Sequence, residues 1–408
     1  MRTTIALLLA ALAVLAAEDD PPFYAGALDL LYVRLDFSDM PGDPLSIEEA
    51  RASVAELDTF FQANSNGVAS IAAEYTDTIR MPKTAQFYRD RGVNLLKWEV
   101  WTWMAANEYL LAETEIVVIA FDDSPVDINR GSDADGGNGT VYLGGHFGWD
   151  ILAHETGHAI GLSHASRWKV NNGDPIDPGS SGSEYGNIFD VMGNGKRQEH
   201  HFSAYSKRRL RWIPASDHRH LSESAVVTIQ AHDHVDADGL RIVSLDRLDG
   251  EEVYWLSYRQ SIGGLIDGLM LNWERNPISD LPDTDSNSYL IDTAPATNDL
   301  KDCTVPVGRS FRDAAAGITF TVRRAIAGDP VAAVEVAVVF DGDPLDGPAT
   351  GERRIIFQAT AQGTVMDGIL RLEPEAGTAV DDAGVWTVDG LDAGADLTLW
   401  LDRLQNPG

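Results

Sequence analysis

The chain has 408 residues, 44% of them hydrophobic, which is enough for two globular domains with room for a third. With 63 acidic residues against 31 basic ones its net charge is −32, which excludes a surface built to bind nucleic acid or anionic membrane. One cysteine, Cys303, excludes an internal disulfide; it is expected to be a buried, inert thiol rather than a reactive one.

Met1 to Ala17 hold one positive charge and then an apolar run ending in small residues, the pattern of a secretory signal peptide. The run is too short to span a bilayer comfortably, and no other apolar run is long enough. The mature chain is therefore expected to be soluble and exported, extracellular or periplasmic, with no membrane association once the signal is removed.

ALDLLYVRLDF at 27 to 37 reads as a strand. Ser46 and Glu49 form the S-x-x-E pattern of a capping box, with Val54, Leu57 and Phe61 on one face of a helix reaching about Gln62. A strand is expected over 68–80 and a second helix over 93–112, with Leu96, Val100 and Met104 inward and Trp101 and Trp103 as core packing. EIVVIAF at 115 to 121 is a central strand. The loop from Ser124 to Gly139 contains SDADGGNG, which is either a plain solvated loop or a Ca2+ site built from carboxylate and carbonyl oxygens. TVYLG at 140 to 144 is a short strand, and Asp150 caps or charges the N-terminus of the helix that follows.

That helix carries HETGHAIGLSH at 154 to 164. Residues i and i+4 share a helix face, so His154 and His158 can grip one Zn2+ at ~2.0–2.1 Å. Gly161 can adopt the left-handed conformation that ends a helix, which lets the chain turn back and bring His164 to the same ion. Three neutral histidines leave zinc its full charge and a position for water, and Glu155 is placed to take a proton from that water. The first five residues alone arise by chance in about 2 of 100 such chains; with Gly161 and His164 the figure falls to on the order of 1 in 10,000. The bland alternative is an amphipathic helix with two histidines on its polar face.

These residues resemble the metzincin clan of zinc peptidases, whose long motif is followed by a Met-turn. FDVMG at 189 to 193 matches such a turn. YGNIFDVMGNG, HFSAYSKRRLRWI at 201 to 213, SYLIDTAP at 288 to 295 and VGRSFRDAAAGITFTV at 307 to 322 are similar to bacterial peptidases of the gametolysin and immune-inhibitor-A type, over roughly residues 28 to 340. The resemblance implies an α+β catalytic domain, with a mixed twisted sheet and an active-site helix, and zinc held by His154, His158 and His164. It also implies Glu155 as general base and acid, and Met192 as a hydrophobic floor near the metal. It further implies that 140 to 144 is an edge strand on which an extended peptide substrate lies. The chain departs from the family in two ways. It has no cysteine upstream to cap the zinc, and Gly193 and Asn194 stand where some metzincins place a tyrosine ligand. Tyr205 or Tyr185 can fill that place, or be a buried structural residue.

From about Ser216 the sequence breaks into short alternating runs (AVVTIQA, LRIVSL, VYWLSY, LMLNW, SYLI, ITFTV, AVEVAVVF), an all-β, sandwich-like region. The expected division is 1–17 signal peptide, 18–215 catalytic domain, 216–340 β-rich domain, 341–351 linker and 352–408 a small β-rich unit. His146 is a structural residue or a neighbour of the cleft; His200 and His201 are surface or strand residues. His232 and His234, with Asp233 and Asp236, are a hairpin tip or a second metal site. The reading is a secreted zinc endopeptidase. Its rival is a secreted adhesive or surface-binding protein that keeps zinc only as structure and works through its β-rich half.

Overall fold

The computed structural model describes residues 23–109, 115–122, 133–135, 139–170, 173–194, 201–248, 250, 252–260, 263–275, 288–297 and 299–342, with the backbone course of 354–361 and 364–371. The expected signal peptide, the 341–351 linker from residue 343 on and most of the 124–139 loop lie outside the described residues, as does the chain after 371.

In the first half the strands are β1 (Gly26–Phe37), β2 (Ala69–Tyr75), β3 (Ile79–Met81), β4 (Ile116–Phe121), β5 (Asp133–Asp135) and β6 (Thr140–Gly144). The helices are α1 (Ile47–Ser65), α2 (Ala85–Arg91), α3 (Val93–Ala106) and α4 (Trp149–Ala159). The strands form one mixed sheet in the order β2-β1-β4-β6-β5, with β3 also on β1; all neighbours are parallel except β5, which runs antiparallel to β6.

Near-continuous apolar runs are what a parallel sheet needs when both faces are covered. Successive side chains point to opposite faces. Thus Leu28, Leu30, Tyr32, Ile116, Val118, Ala120, Val141 and Leu143 pack with α1 and α4. Leu31, Val33, Leu35, Val117, Ile119, Phe121 and Tyr142 pack on the other face with α2 and α3. The Ser46 capping box is formed in both directions, and α1 buries Val54, Leu57 and Phe61. Three expectations shift. The 68–80 strand is broken into β2 and β3. α3 ends at Ala106, short of the expected 112. Over Thr140–Tyr142 the strand at 140–144 is not an edge, because β5 pairs with its outer side there and packs against α4.

In the second half lie β7 (Ser166–Lys169), β8 (Ser181–Ser183), α5 (Ala204–Arg209), β9 (His218–Leu221), β10 (Ala225–Gln230), β11 (Ile242–Arg247) and β12 (Glu252–Ser257). They are followed by β13 (Gly268–Arg275), β14 (Ser288–Ile291), β15 (Val305–Pro306), β16 (Ser310–Asp313), β17 (Ile318–Ile326) and β18 (Ala333–Phe340). An eight-stranded sheet (β8-β7-β14-β13-β12-β11-β9, with β15 on β13) and a four-stranded one (β10-β18-β17-β16) share a single core. Alternate residues such as Leu269, Leu271 and Trp273 face Phe320, Val334 and Val336 across it. A hairpin of β19 (Arg354–Ala361) and β20 (Thr364–Arg371) follows.

The boundary expected at 215/216 is crossed in space. β7 pairs in parallel with β14, Ser166 opposite Tyr289 and Trp168 opposite Ile291. Trp168 is buried with its ring 4.9 Å from that of Trp273, under the Arg275 guanidinium. The apolar area of one indole draws this segment out of the first half and into the second core. Cys303 is fully buried, and burial pushes its thiol pKa up, so it stays an unreactive thiol. No helix among the described residues is long and apolar enough to cross a membrane.

On β9, His218 stacks on Trp255 and its Nε2 lies 2.8 Å from Ser244 Oγ. Burial, then the neighbouring Arg208 and His220 charges, push its pKa down from 6.5 to about 4. A depressed histidine favours the fold above the unfolded-state pKa, and that contribution disappears as the pH falls from 6.5 through 4. At most about 3 kcal/mol is at stake. Urea unfolding of His218→Gln is therefore expected to lose less stability than wild type between neutral pH and pH ~4.5; equal losses contradict the assignment.

Candidate metal centre

The site is built from the end of α4 outward. Its N-cap is Gly148 with no side-chain cap bond, so Asp150 acts only as a first-turn charge. At the other end Ile160 is the C-cap and Gly161 follows at φ +92°. Gly161 N–H donates to His158 O (2.9 Å) and Leu162 N–H to Gly157 O (2.9 Å). This is the paired closure of a Schellman motif, in which glycine takes the left-handed position without a steric penalty. The chain reverses there and returns His164 to the helix face.

The three imidazoles converge. Ring centroids are 4.8 Å apart for His154–His158, 4.6 Å for His158–His164 and 5.4 Å for His154–His164. Their candidate ligand atoms all lie within 4.8 Å of one another. Among the described residues this is the one such group of three or more His, Cys, Asp or Glu side chains. Glu155, the next residue on the helix, is buried at 7% exposure.

Each ring is oriented through Nδ1. That of His154 lies 2.7 Å from Val191 O, that of His158 2.7 Å from Leu162 O, and that of His164 2.7 Å from Glu184 Oε1. A carbonyl or carboxylate oxygen only accepts, so Nδ1 carries the proton and Nε2 is the basic nitrogen. Burial, together with the other two rings, pushes the His158 pKa down to about 4, which keeps it neutral at physiological pH. Outward-anchored Nδ1 atoms and short mutual distances fit a zinc ion held by three Nε2 atoms.

Met192 packs against α4 at Gly157, the residue before His158. It is fully buried, and a Cβ on Gly157 would come within 2.2 Å of its Sδ. The turn around it is tied back to the segment after His164: Ala165 N–H donates to Met192 O at 2.9 Å and Asn187 N–H to Ala165 O at 3.2 Å. At Gly193 a side chain would meet Asn187 O at 2.0 Å. Gly157→Ala is accordingly expected to destabilise the fold by about 1–3 kcal/mol through overpacking and to weaken metal binding. Thermal melts and a zinc titration check this; unchanged values show that Met192 yields at no cost.

Comparison with known proteins finds no match, either to a family model or to a curated protein. The reading of the centre therefore rests on its own geometry.

The remaining candidates divide. Tyr205 is buried, donates to Glu274 Oε1 at 2.9 Å, and lines the same small cavity as His164. Tyr185 is 44% exposed, sits at φ +57°, and lays its ring 3.8 Å from that of His164 and 5.9 Å from that of His154. A phenol so placed can donate to an oxyanion forming in front of the rings. Glu184, beside it in the same turn, was not legible as a site residue, because its only cue is proximity in space. His146 is exposed and does not join the cluster. His201 is buried rather than superficial, with Nδ1 2.9 Å from Lys207 Nζ, and His200 lies outside the described residues. His232 is buried as well; with Asp233, His234 and Asp236 it forms no metal-binding group. Of the acidic stretch considered for Ca2+, only the short strand β5 and Gly139 are described.

Proposed function

We propose that the chain is a secreted zinc endopeptidase. The observation that carries this reading is the convergence of three outward-anchored imidazoles, with the buried residue Glu155 next to His154 on the same helix. Zinc in such a site supplies a Lewis acid that brings the pKa of water to about 7 and polarises a carbonyl oxygen.

His154, His158 and His164 hold the ion as neutral ligands, which leaves its charge undiminished. Glu155 accepts a proton from the attacking water and returns it to the departing amine nitrogen, a role worth roughly 10²–10⁴ in rate. An exposed sheet edge presents a row of backbone donors and acceptors. β5, the last strand of the first-half sheet among the described residues and packed against α4, would take an extended peptide in this reading. The net charge of −32 disfavours nucleic acid and anionic lipid as partners.

The rival, an adhesive protein with a structural zinc, needs a fourth protein ligand and has no use for a general base. The two are separated by assaying cleavage of casein or gelatin with and without a chelator. The proposal requires cleavage that the chelator abolishes and added zinc restores; zinc content without cleavage favours the rival.

A further inference from the structure

The Met-turn is held from the β-rich half, and this bears on the metal centre. Arg259, just beyond β12, has a side chain only 2% exposed and donates from Nη1 to Phe189 O at 2.8 Å. Its Nε lies 3.4 Å from the fully buried Asp233 carboxylate, which also accepts from Gln260 N–H. The Arg259 charge also acts on the buried Asp190 carboxylate, whose pKa burial pushes up and this charge pulls back down. Asp190 in turn accepts from Met192 N–H at 2.8 Å and from Ser203 N–H, at the N-cap of α5, at 2.7 Å. Between Asp190 and Met192 stands Val191, whose carbonyl accepts from His154 Nδ1. Lys207, also buried, closes the same cluster by donating to His232 O at 2.9 Å.

We infer that Arg259 is a positioning residue for the metal centre, acting through the Met-turn to fix the Val191 carbonyl and with it the ring of His154. The β-rich half is then a working part of the site and not a separate appendage. The inference rests on the zinc reading above. Two features make it specific. Arg259 is planar and serves the Phe189 carbonyl through Nη1 and the Asp233 carboxylate through Nε at once, a geometry a lysine ammonium does not reproduce. Phe189 itself packs with Met270, Leu290 and Cys303 of the β-rich half, whereas Val191 and Met192 pack in the core of the first half, so the turn spans both.

The test uses the full chain as wild type, Arg259→Lys, Arg259→Gln and a control, Arg312→Gln, which removes an exposed ion pair with Asp341 in the same β-rich half. Zinc affinity is measured by chelator competition and site geometry by the visible spectrum of the cobalt-substituted protein, with thermal melts in parallel. Loss of an outer partner of a metal ligand costs ~10–100-fold in affinity. Arg259 acts one step further out, through the Val191 carbonyl, so a loss at the lower end of that range, ~10-fold, is expected for Arg259→Gln and a smaller one for Arg259→Lys, both with shifted cobalt bands; the control should match wild type. If Arg259→Gln does not fold, Arg259→Lys alone decides. Lowered melting temperature with wild-type zinc affinity and cobalt spectrum overturns the inference and leaves Arg259 purely structural. A wild-type chain that takes up no zinc overturns the metal reading itself.

Discussion

Glu155→Ala is expected to keep its zinc and its fold and to lose peptide hydrolysis by ~10²–10⁴-fold, the usual worth of a positioned proton-transfer group. The argument is positional. Glu155 follows the first ligand on α4, so the helix that fixes His154 fixes the carboxylate with it. At 7% exposure it is shielded from bulk water, where proton transfer to solvent would compete. It does not belong to the converging group of nitrogen ligands, so metal content should stay at the wild-type level. Glu155→Gln, nearly identical in shape but unable to take a proton, should behave the same way. The check is a paired measurement of zinc per chain and of casein cleavage; a variant that still cleaves at the wild-type rate removes Glu155 from the mechanism.

His158→Ala is expected to lose both. Deleting a ring from a three-imidazole site leaves two nitrogens, too few for a tetrahedral zinc site with three protein ligands. Zinc affinity should fall by more than the ~10–100-fold typical of losing an outer partner. The same change removes the bond from His158 Nδ1 to Leu162 O, which helps hold the reversal after α4. His164 is carried by that reversal, so the remaining pair should also be less well placed. Equilibrium dialysis against zinc measures the effect; near wild-type binding in His158→Ala would mean that the ion sits elsewhere.

Much of the scaffold could be read locally. The largely apolar, almost continuously buried run of β1 and the unbroken apolar run in β4 follow from strands covered on both faces. The Ser46–Glu49 capping box and the glycine after α4 carry their geometry in a few adjacent residues. The placement of His154, His158 and His164 followed from helical period plus one glycine reversal. What escaped depends on pairing between distant segments. Nothing near 140–144 announces that the short β5 will cover it, since a strand of three residues has too little pattern to recognise. Nothing around Trp168 predicts that its partner strand lies at 288–291. The anchors Glu184 and Arg259 are charged residues in irregular or strand-end segments, where their charge reads as solvation until the fold brings them to a histidine ring or the Met-turn.

The most direct test of the account is zinc-edge X-ray absorption on the purified full chain, combined with metal analysis. The account predicts one zinc per chain, with three imidazole nitrogens at ~2.0–2.1 Å and an exchangeable oxygen as the remaining ligand. A metal-free protein, or a zinc enclosed by four protein ligands, would contradict it.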